Sequence, residues 1–217
     1  MRDEYRHDLA EVTRLLVDMA DGARAALARA TNALLTADVT DAEEVVRGDA
    51  DIDALNHRVE DKVYDLLARQ APVASDLRLV VTAIRVAADI ERMGDLAEHV
   101  AKTALRRAPE CAVPAELHPV FTDLANACDR LAGKISLALR DNDAQVAGEL
   151  EGDDDTVDEL HRQLLGLMLG TAWRYGVEPA VDGALLGRFY ERFADHAVNV
   201  GAQVVYLVTG EVAGTTA

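Results

Sequence analysis

The residues best suited to chemistry lie in a segment that the chain carries twice. Glu91-Arg92-Met93-Gly94-Asp95 returns one hundred residues later as Glu191-Arg192-Phe193-Ala194-Asp195. In each copy an acid is followed by arginine, and a second acid stands four residues after the first. Carboxylates four apart share one helix face and repel each other unless something cationic sits between them. Oxygen-only donor sets of this kind suit hard or borderline cations: Mg²⁺, Mn²⁺, Ca²⁺ or iron. Adjacent carboxylates can also bridge two or more such ions.

Laying the chain on itself extends the pattern. An offset of 105 pairs Leu34 with Leu139, Asp38 with Asp143, Asp49 with Asp154, Ile52 with Val157, Asp53 with Asp158 and Leu55 with Leu160. An offset of 100 pairs Glu91 with Glu191, Arg92 with Arg192 and Asp95 with Asp195. Each half therefore has a second acidic pair, Asp49/Asp53 or Asp154/Asp158. In the first half, both pairs lie roughly 27–30 Å from the joint near Ala71, at 1.5 Å of helix per residue. If the helices on either side of that joint run antiparallel, the pairs are level and four carboxylates converge. His99 extends the Glu91/Asp95 line as a possible nitrogen ligand, and its counterpart Asn199 offers only an amide oxygen. The line leading to those acids (Leu77, Val81, Ile84, Ala88) reads as inward-facing. Arg92 and Arg192 read as salt-bridge partners that neutralise nearby acids.

Acid pairs four apart also arise on plain solvated faces, and Asp153-Asp154-Asp155 resembles such a stretch. A metal-storage or metal-dependent catalytic bundle and a metal-free helical scaffold are therefore competing readings. The catalytic one has little support. No glycine-rich phosphate loop, Gly-x-Ser-x-Gly segment or Cys-His nucleophile pair is present. Carboxylate di-iron bundles use a pair of Glu-x-x-His segments; this chain has a single one, Glu4 to His7, away from the repeated acid pairs. His7, His57, His118, His161 and His196 read as surface or interface residues, and Trp173 as packing.

Three-four apolar spacing predicts six helices. The first runs from about Asp3 to Ala37, with Gly22 as a soft spot. The second starts at a capping box, Thr40-Asp41-Ala42-Glu43, and ends near Gln70, where Ala71-Pro72-Val73 breaks it. The third runs from Ser75 or Asp76 to about Arg107. A proline-bearing loop, Pro109 to Pro119, separates the halves. The fourth helix spans about Pro119 to Arg140. The fifth opens at the Asn142/Gln145 capping pair and ends near Tyr175-Gly176, with Gly176 as a left-handed cap. The sixth has Pro179 in its first turn and runs to about Glu211. Val212 to Ala217 reads as a frayed end. Long helices with short joints pack antiparallel. The expectation is an all-α fold of two tandem three-helix bundles related by internal duplication, 1–110 and 111–217.

Composition narrows the function. A formal charge of −17 over 217 residues argues against nucleic-acid binding. Cys111 and Cys128 form no metal pattern and suit a reduced cytoplasmic chain. Met1-Arg2-Asp3-Glu4 leads into no apolar leader region, and no run reaches the roughly 18 apolar residues of a membrane span. Cytoplasmic localisation without membrane insertion is expected.

Pro72-Val73-Ala74-Ser75-Asp76-Leu77-Arg78, Asp89 to Asp95, Glu191 to Asn199 and Tyr206-Leu207-Val208-Thr209-Gly210-Glu211 together resemble the PhoU family, regulators of bacterial phosphate-specific transport. The resemblance spans nearly the whole chain. It implies two similar three-helix bundles, often in a homodimer. It also implies multinuclear metal clusters, iron or zinc in some members, at the acid pairs Asp49/Asp53, Glu91/Asp95, Asp154/Asp158 and Glu191/Asp195. The implied role is non-enzymatic: negative regulation of the phosphate-starvation response, linking the phosphate ABC transporter's ATPase subunit to a sensor histidine kinase. This chain departs from the family pattern at Leu96, where histidine is common, at His99, where asparagine is, and at Phe193-Ala194, where Ile-Gly is usual.

Overall fold

The structure, a computed structural model, describes residues 2–211. The expectation about Val212 to Ala217 lies outside the described residues. The described residues are helical, without strands. Helix α1 is Arg2–Thr36, α2 is Val39–Gln70 and α3 is Ala74–Arg107. A 3₁₀ turn, Ala115–Leu117, leads into α4, His118–Asp141. Then come α5, Ala144–Gly148, α6, Leu150–Leu169, and α7, Val177–Thr209. None of these helices is long and apolar enough to cross a membrane. The chain thus builds two three-helix units, with α5 and α6 together taking the place of α2.

Local chemistry explains most boundaries, and in three places it corrects the sequence reading. Helix α2 is capped by Asp38, not by Thr40. The Asp38 carboxylate accepts from the main-chain N–H groups of Thr40 and Asp41, satisfying donors that the first turn leaves free. Its repeat counterpart Asp143 does the same for Gln145 and Val146. Asn142 is instead the left-handed C-cap of α4, at φ 51°. The expected fifth helix is broken at Glu149, and α6 stops at Leu169. Gly176, at φ 82° and ψ −170°, therefore opens α7 instead of closing the helix before it. Trp173 packs on the core beside this joint and donates its indole N–H to the Gly176 carbonyl at 2.8 Å.

The break at Glu149 has a packing reason. It brings α5 against α7 so closely that a Cβ on Gly201 would lie 2.7 Å from the Ala147 carbonyl oxygen and 2.6 Å from Leu150 Cδ1. The first-half counterpart, Ala101, carries its methyl beside an unbroken α2. Gly201→Ala is expected to destabilise the protein by about 1–3 kcal/mol, because a main-chain oxygen cannot rotate aside. Chemical denaturation measures it, and an unchanged midpoint would show that α5 yields freely.

The two halves share one apolar core. They meet along two antiparallel seams, α1 on α4 and α3 on α7. On the second seam His196 Nδ1 lies 2.9 Å from Asp89 Oδ1, which fits an interface histidine. Near the end of α3, Arg107 and Arg106 donate to Asp182, at 2.6 and 3.3 Å. Asp182 is buried, and its first-half counterpart is the buried, uncharged Thr82. The centre of the molecule is held by Tyr190. Its hydroxyl donates to Thr31 Oγ1 at 2.6 Å, because Thr31 spends its own proton on the Leu27 carbonyl.

Candidate functional site

The acidic residues sit where the outer helix of each half meets the last helix. On α3 the buried line is Val80, Ala83, Ala87, Ile90, Met93, Ala97 and Ala101. The expected inward line is therefore corrected. Leu77 and Val81 are 41% and 44% exposed, and Ala88 is exposed as well. The reason is tertiary: α3 is covered by α1 and α2 on one side and α7 on the other, which rotates the buried arc by a residue. Glu91 and Asp95 consequently lie half-buried at the margin of the core.

Close helix approach brings α2 to them. A Cβ on Gly94 would lie 2.9 Å from Ile52 Cδ1 and 3.5 Å from Asp49 Oδ1. The missing side chain is what lets Ile52, and with it α2, pack this closely on α3, with Asp49 in ordinary contact beside it. In the second half the corresponding residues are Ala194 and Val157, both buried. Ile with Gly and Val with Ala contain the same number of side-chain carbons, so the two sites are packed to equal volume by different routes. The Ala194 departure is thereby matched by the smaller Val157.

Electrostatics show the convergence. Burial, then the charges of Glu98, Asp53 and Asp95, push the Asp49 carboxyl up to about 6. Burial, then Asp158, Asp195 and Glu191, do the same to Asp154, also to about 6. Glu91 is raised by burial and then by Asp95 and Asp53. Glu191 is raised by burial and then by Asp195 and Asp158. Each acid pair on the outer helix thus feels the pair on the last helix. Glu98, which the sequence reading passed over, joins the first set and accepts from Lys102 at 2.5 Å. Its spacing of seven from Glu91 and three from Asp95 is a helical signal that could have found it. Val198 stands in its place in the second half.

The surrounding cations and histidines are placed unequally. Arg92 donates to Asp95 at 2.7 Å and lies 3.5 Å from Glu91, as expected. In the second half the cation that meets Glu191 is Arg188, and Arg192 forms no ion pair among the described residues. His99 donates from Nδ1 to the Asp95 carbonyl at 2.6 Å and rests its ring on Phe189, with centroids 5.4 Å apart.

Two observations bear on whether a cation fits. Asp154 Oδ1 is buried and has no hydrogen-bond partner. Glu191 Oε2 is buried too; it touches Arg188 but is offered no well-aligned N–H. Buried carboxylate oxygens are ordinarily satisfied, so the donor chemistry suits a hard cation. Among the described residues, however, no three such side chains are already gathered around one point. Ligation would require side-chain rotation.

Fold and site together define a class: a duplicated three-helix-bundle protein with a cluster of carboxylates in each half. The chain belongs to the PhoU family, whose domain model matches it twice, over residues 16–104 and 121–204. It is 43% identical over 210 residues to the phosphate-specific transport system accessory protein PhoU homolog 2 of Mycobacterium tuberculosis, covering 97% of this chain and 99% of that one. Homolog 1 from the same species is 44% identical, with 97% and 95% covered. The crystal structure of PhoU from Pseudomonas aeruginosa superposes with a TM-score of 0.86 at 27% identity, covering 95% of this chain and all of that one. PhoU from Streptococcus pneumoniae, at 24% identity and a TM-score of 0.84, has the same fold, with 96% and 98% covered.

Proposed function

We propose that this protein is an accessory regulator of phosphate-specific transport, a non-enzymatic adaptor that restrains phosphate uptake and the phosphate-starvation response through protein contacts. The observation that carries the reading is near-complete coverage, at 43 to 44% identity, of relatives named as accessory proteins of that system. The partners would be the transporter's ATPase subunit and a sensor histidine kinase. Two exposed apolar stripes support a contact role: Leu77 and Val81 on α3, repeated as Val177, Val181 and Leu185 on α7.

Deleting the gene is expected to derepress phosphate-scavenging genes in high phosphate, in a strain with any paralogue also removed. Normal repression there would overturn the reading.

We further propose that Asp49, Asp53, Glu91 and Asp95 hold metal in the first half, and Asp154, Asp158, Glu191 and Asp195 in the second. Iron, zinc, manganese or magnesium bound there would offset the mutual repulsion of these carboxylates. Protein purified without chelator is expected to contain metal, and Glu91→Ala with Asp95→Ala to lose the first-half share. Elemental analysis reads this directly. Content unchanged in that variant and in its Glu191/Asp195 counterpart would remove metal from these sites.

A further inference from the structure

The α1–α4 seam carries the same cavity twice, and only one copy is basic. The offset of 105 maps α1 onto α4, and Arg24 and Asp129 are counterparts under it. They also bind each other: Arg24 Nε and Nη2 donate to the two Asp129 oxygens at 2.6 and 2.7 Å. Two equivalent positions that touch must lie on the local two-fold axis. Identical charges there would repel, whereas Arg and Asp make a bidentate pair.

A cavity flanks this pair on each side, of about 310 Å³ and about 570 Å³. Their linings correspond: Ala28 to Gly133, Thr31 to Ser136, Asn32 to Leu137 and Leu35 to Arg140. The first copy is lined by neutral residues apart from the Arg24–Asp129 pair itself. The second adds Arg130, Lys134 and Arg140 to Arg24, facing Asp21 and Asp129.

These cations differ in what they have left to offer. Lys134 donates to Glu149 and lies 2.6 Å from Asp153. It keeps the role of its counterpart Arg29, which pairs with Glu44. Arg24 retains Nη1, which lies over Gly133, where a Cβ would stand 3.3 Å away. Arg130 and Arg140 form no ion pair among the described residues. Their counterparts are Ala25 and Leu35. So in a chain of charge −17, the second cavity has two arginines outside any ion pair, at positions whose counterparts are apolar; of those counterparts Leu35 lines the first cavity.

Arg130 and Arg140 are ten residues apart on α4, roughly 15 Å along the axis. That span suits an elongated anion with several charges better than a single small one. Guanidinium groups recognise phosphate oxygens by paired N–H donors. Leu137 lies between the two arginines and is 48% exposed. A further cavity of about 370 Å³ shares Arg140 and is lined also by Ala10, Thr13, Arg14, Val17 and Asn142. The site thus offers charge along one length and apolar surface beside it.

We propose that this second-half cavity binds a nucleoside di- or triphosphate, with Arg130, Arg140 and the free edge of Arg24 on the phosphates and the adjoining cavity beside Arg140, with Ala10 and Val17, against the uncharged part. Such a ligand would span the seam and couple the two halves.

The test is calorimetric titration of the full chain with ATP, pyrophosphate and orthophosphate, in EDTA so that metal at the carboxylates cannot recruit phosphate. ATP is expected to bind more tightly than either inorganic anion. Arg130→Ala with Arg140→Leu, which restores the first-copy residues, is expected to weaken it at least tenfold. Asn32→Ala in the first cavity is expected to change nothing. Circular dichroism checks that each variant is folded. No ATP binding at millimolar concentration, equal affinity for pyrophosphate or orthophosphate, or an affinity unchanged in the double arginine variant would overturn the assignment.

Discussion

Tyr190→Ala is expected to destabilise the protein by about 3–5 kcal/mol, the usual cost of emptying a fully buried aromatic site. The side chain is 0% exposed and among the largest fully buried ones in the molecule. Its ring lies tilted on Phe121 with centroids 5.8 Å apart, and its hydroxyl reaches Thr31 across the two halves. Three helices, α1, α4 and α7, lose packing at once. The conservative change separates the terms. Tyr190→Phe keeps the ring and removes one buried hydrogen bond, leaving Thr31 its bond to the Leu27 carbonyl, and should cost only about 1 kcal/mol. Urea denaturation of both variants decides the matter. Equal losses would mean that the hydroxyl, not the packing, holds the seam. Because Glu191 is the next residue, the alanine variant should also loosen the second acidic cluster.

The second large effect has the opposite sign. In metal-free protein, Asp49→Asn with Asp154→Asn is expected to raise stability near neutral pH. Burial and neighbouring carboxylates push both carboxyls up to about 6 in the fold, from an ordinary aspartate value of 3.8. A carboxyl raised in this way binds its proton more tightly folded than unfolded. Its penalty is therefore absent below about pH 4, grows as pH rises through 4 to 6, and is complete above. A shift of roughly two units corresponds to just under 3 kcal/mol, and partial solvent access reduces this to about 1–2 kcal/mol for each group. The chelated parent should therefore melt lower at pH 7.5 than the double variant by the equivalent of about 2–4 kcal/mol, with the gap closing towards pH 4.5. Carboxylates held below their usual range, Asp129 by Arg24 and Glu11 by Lys62, contribute the reverse slope in acid. The comparison with the variant cancels them. A gap that does not change with pH would show that these two carboxyls are solvated like any others.

The architecture was legible because duplication and helical period are properties of residue order. Leu34 to Leu139 and Glu91 to Glu191 could be matched without coordinates, and Pro72 marks the end of α2 in any context. The caps were misplaced by two residues and one. Thr40 and Asn142 look competent by type, yet the carboxylates of Asp38 and Asp143 hold the free N–H groups. Capping depends on which side chain lies within reach of an unsatisfied donor, and several neighbours of the right type compete. The break at Glu149 was not legible, because the close packing that accompanies it involves Gly201, fifty-two residues away on another helix.

The eight acids were picked from spacing alone, and the structure brings each outer-helix pair into the field of its last-helix pair. Glu98 was missed because it has no counterpart in the second half. Leu77 and Val81 were misread because helical period shows that a stripe exists but not which arc the neighbours cover. Residue order by itself determined the repeat, the helices and the acidic pairs, since these follow from local period and self-similarity. Only the tertiary structure decided that Arg24 meets its own counterpart Asp129 on the two-fold axis. It alone also packed Ile52 on Gly94 beside Asp49, and set Arg130 and Arg140 at a cavity whose twin is neutral. The physical reason is that charge and volume complementarity are properties of surfaces brought together, and those surfaces come from residues a hundred positions apart.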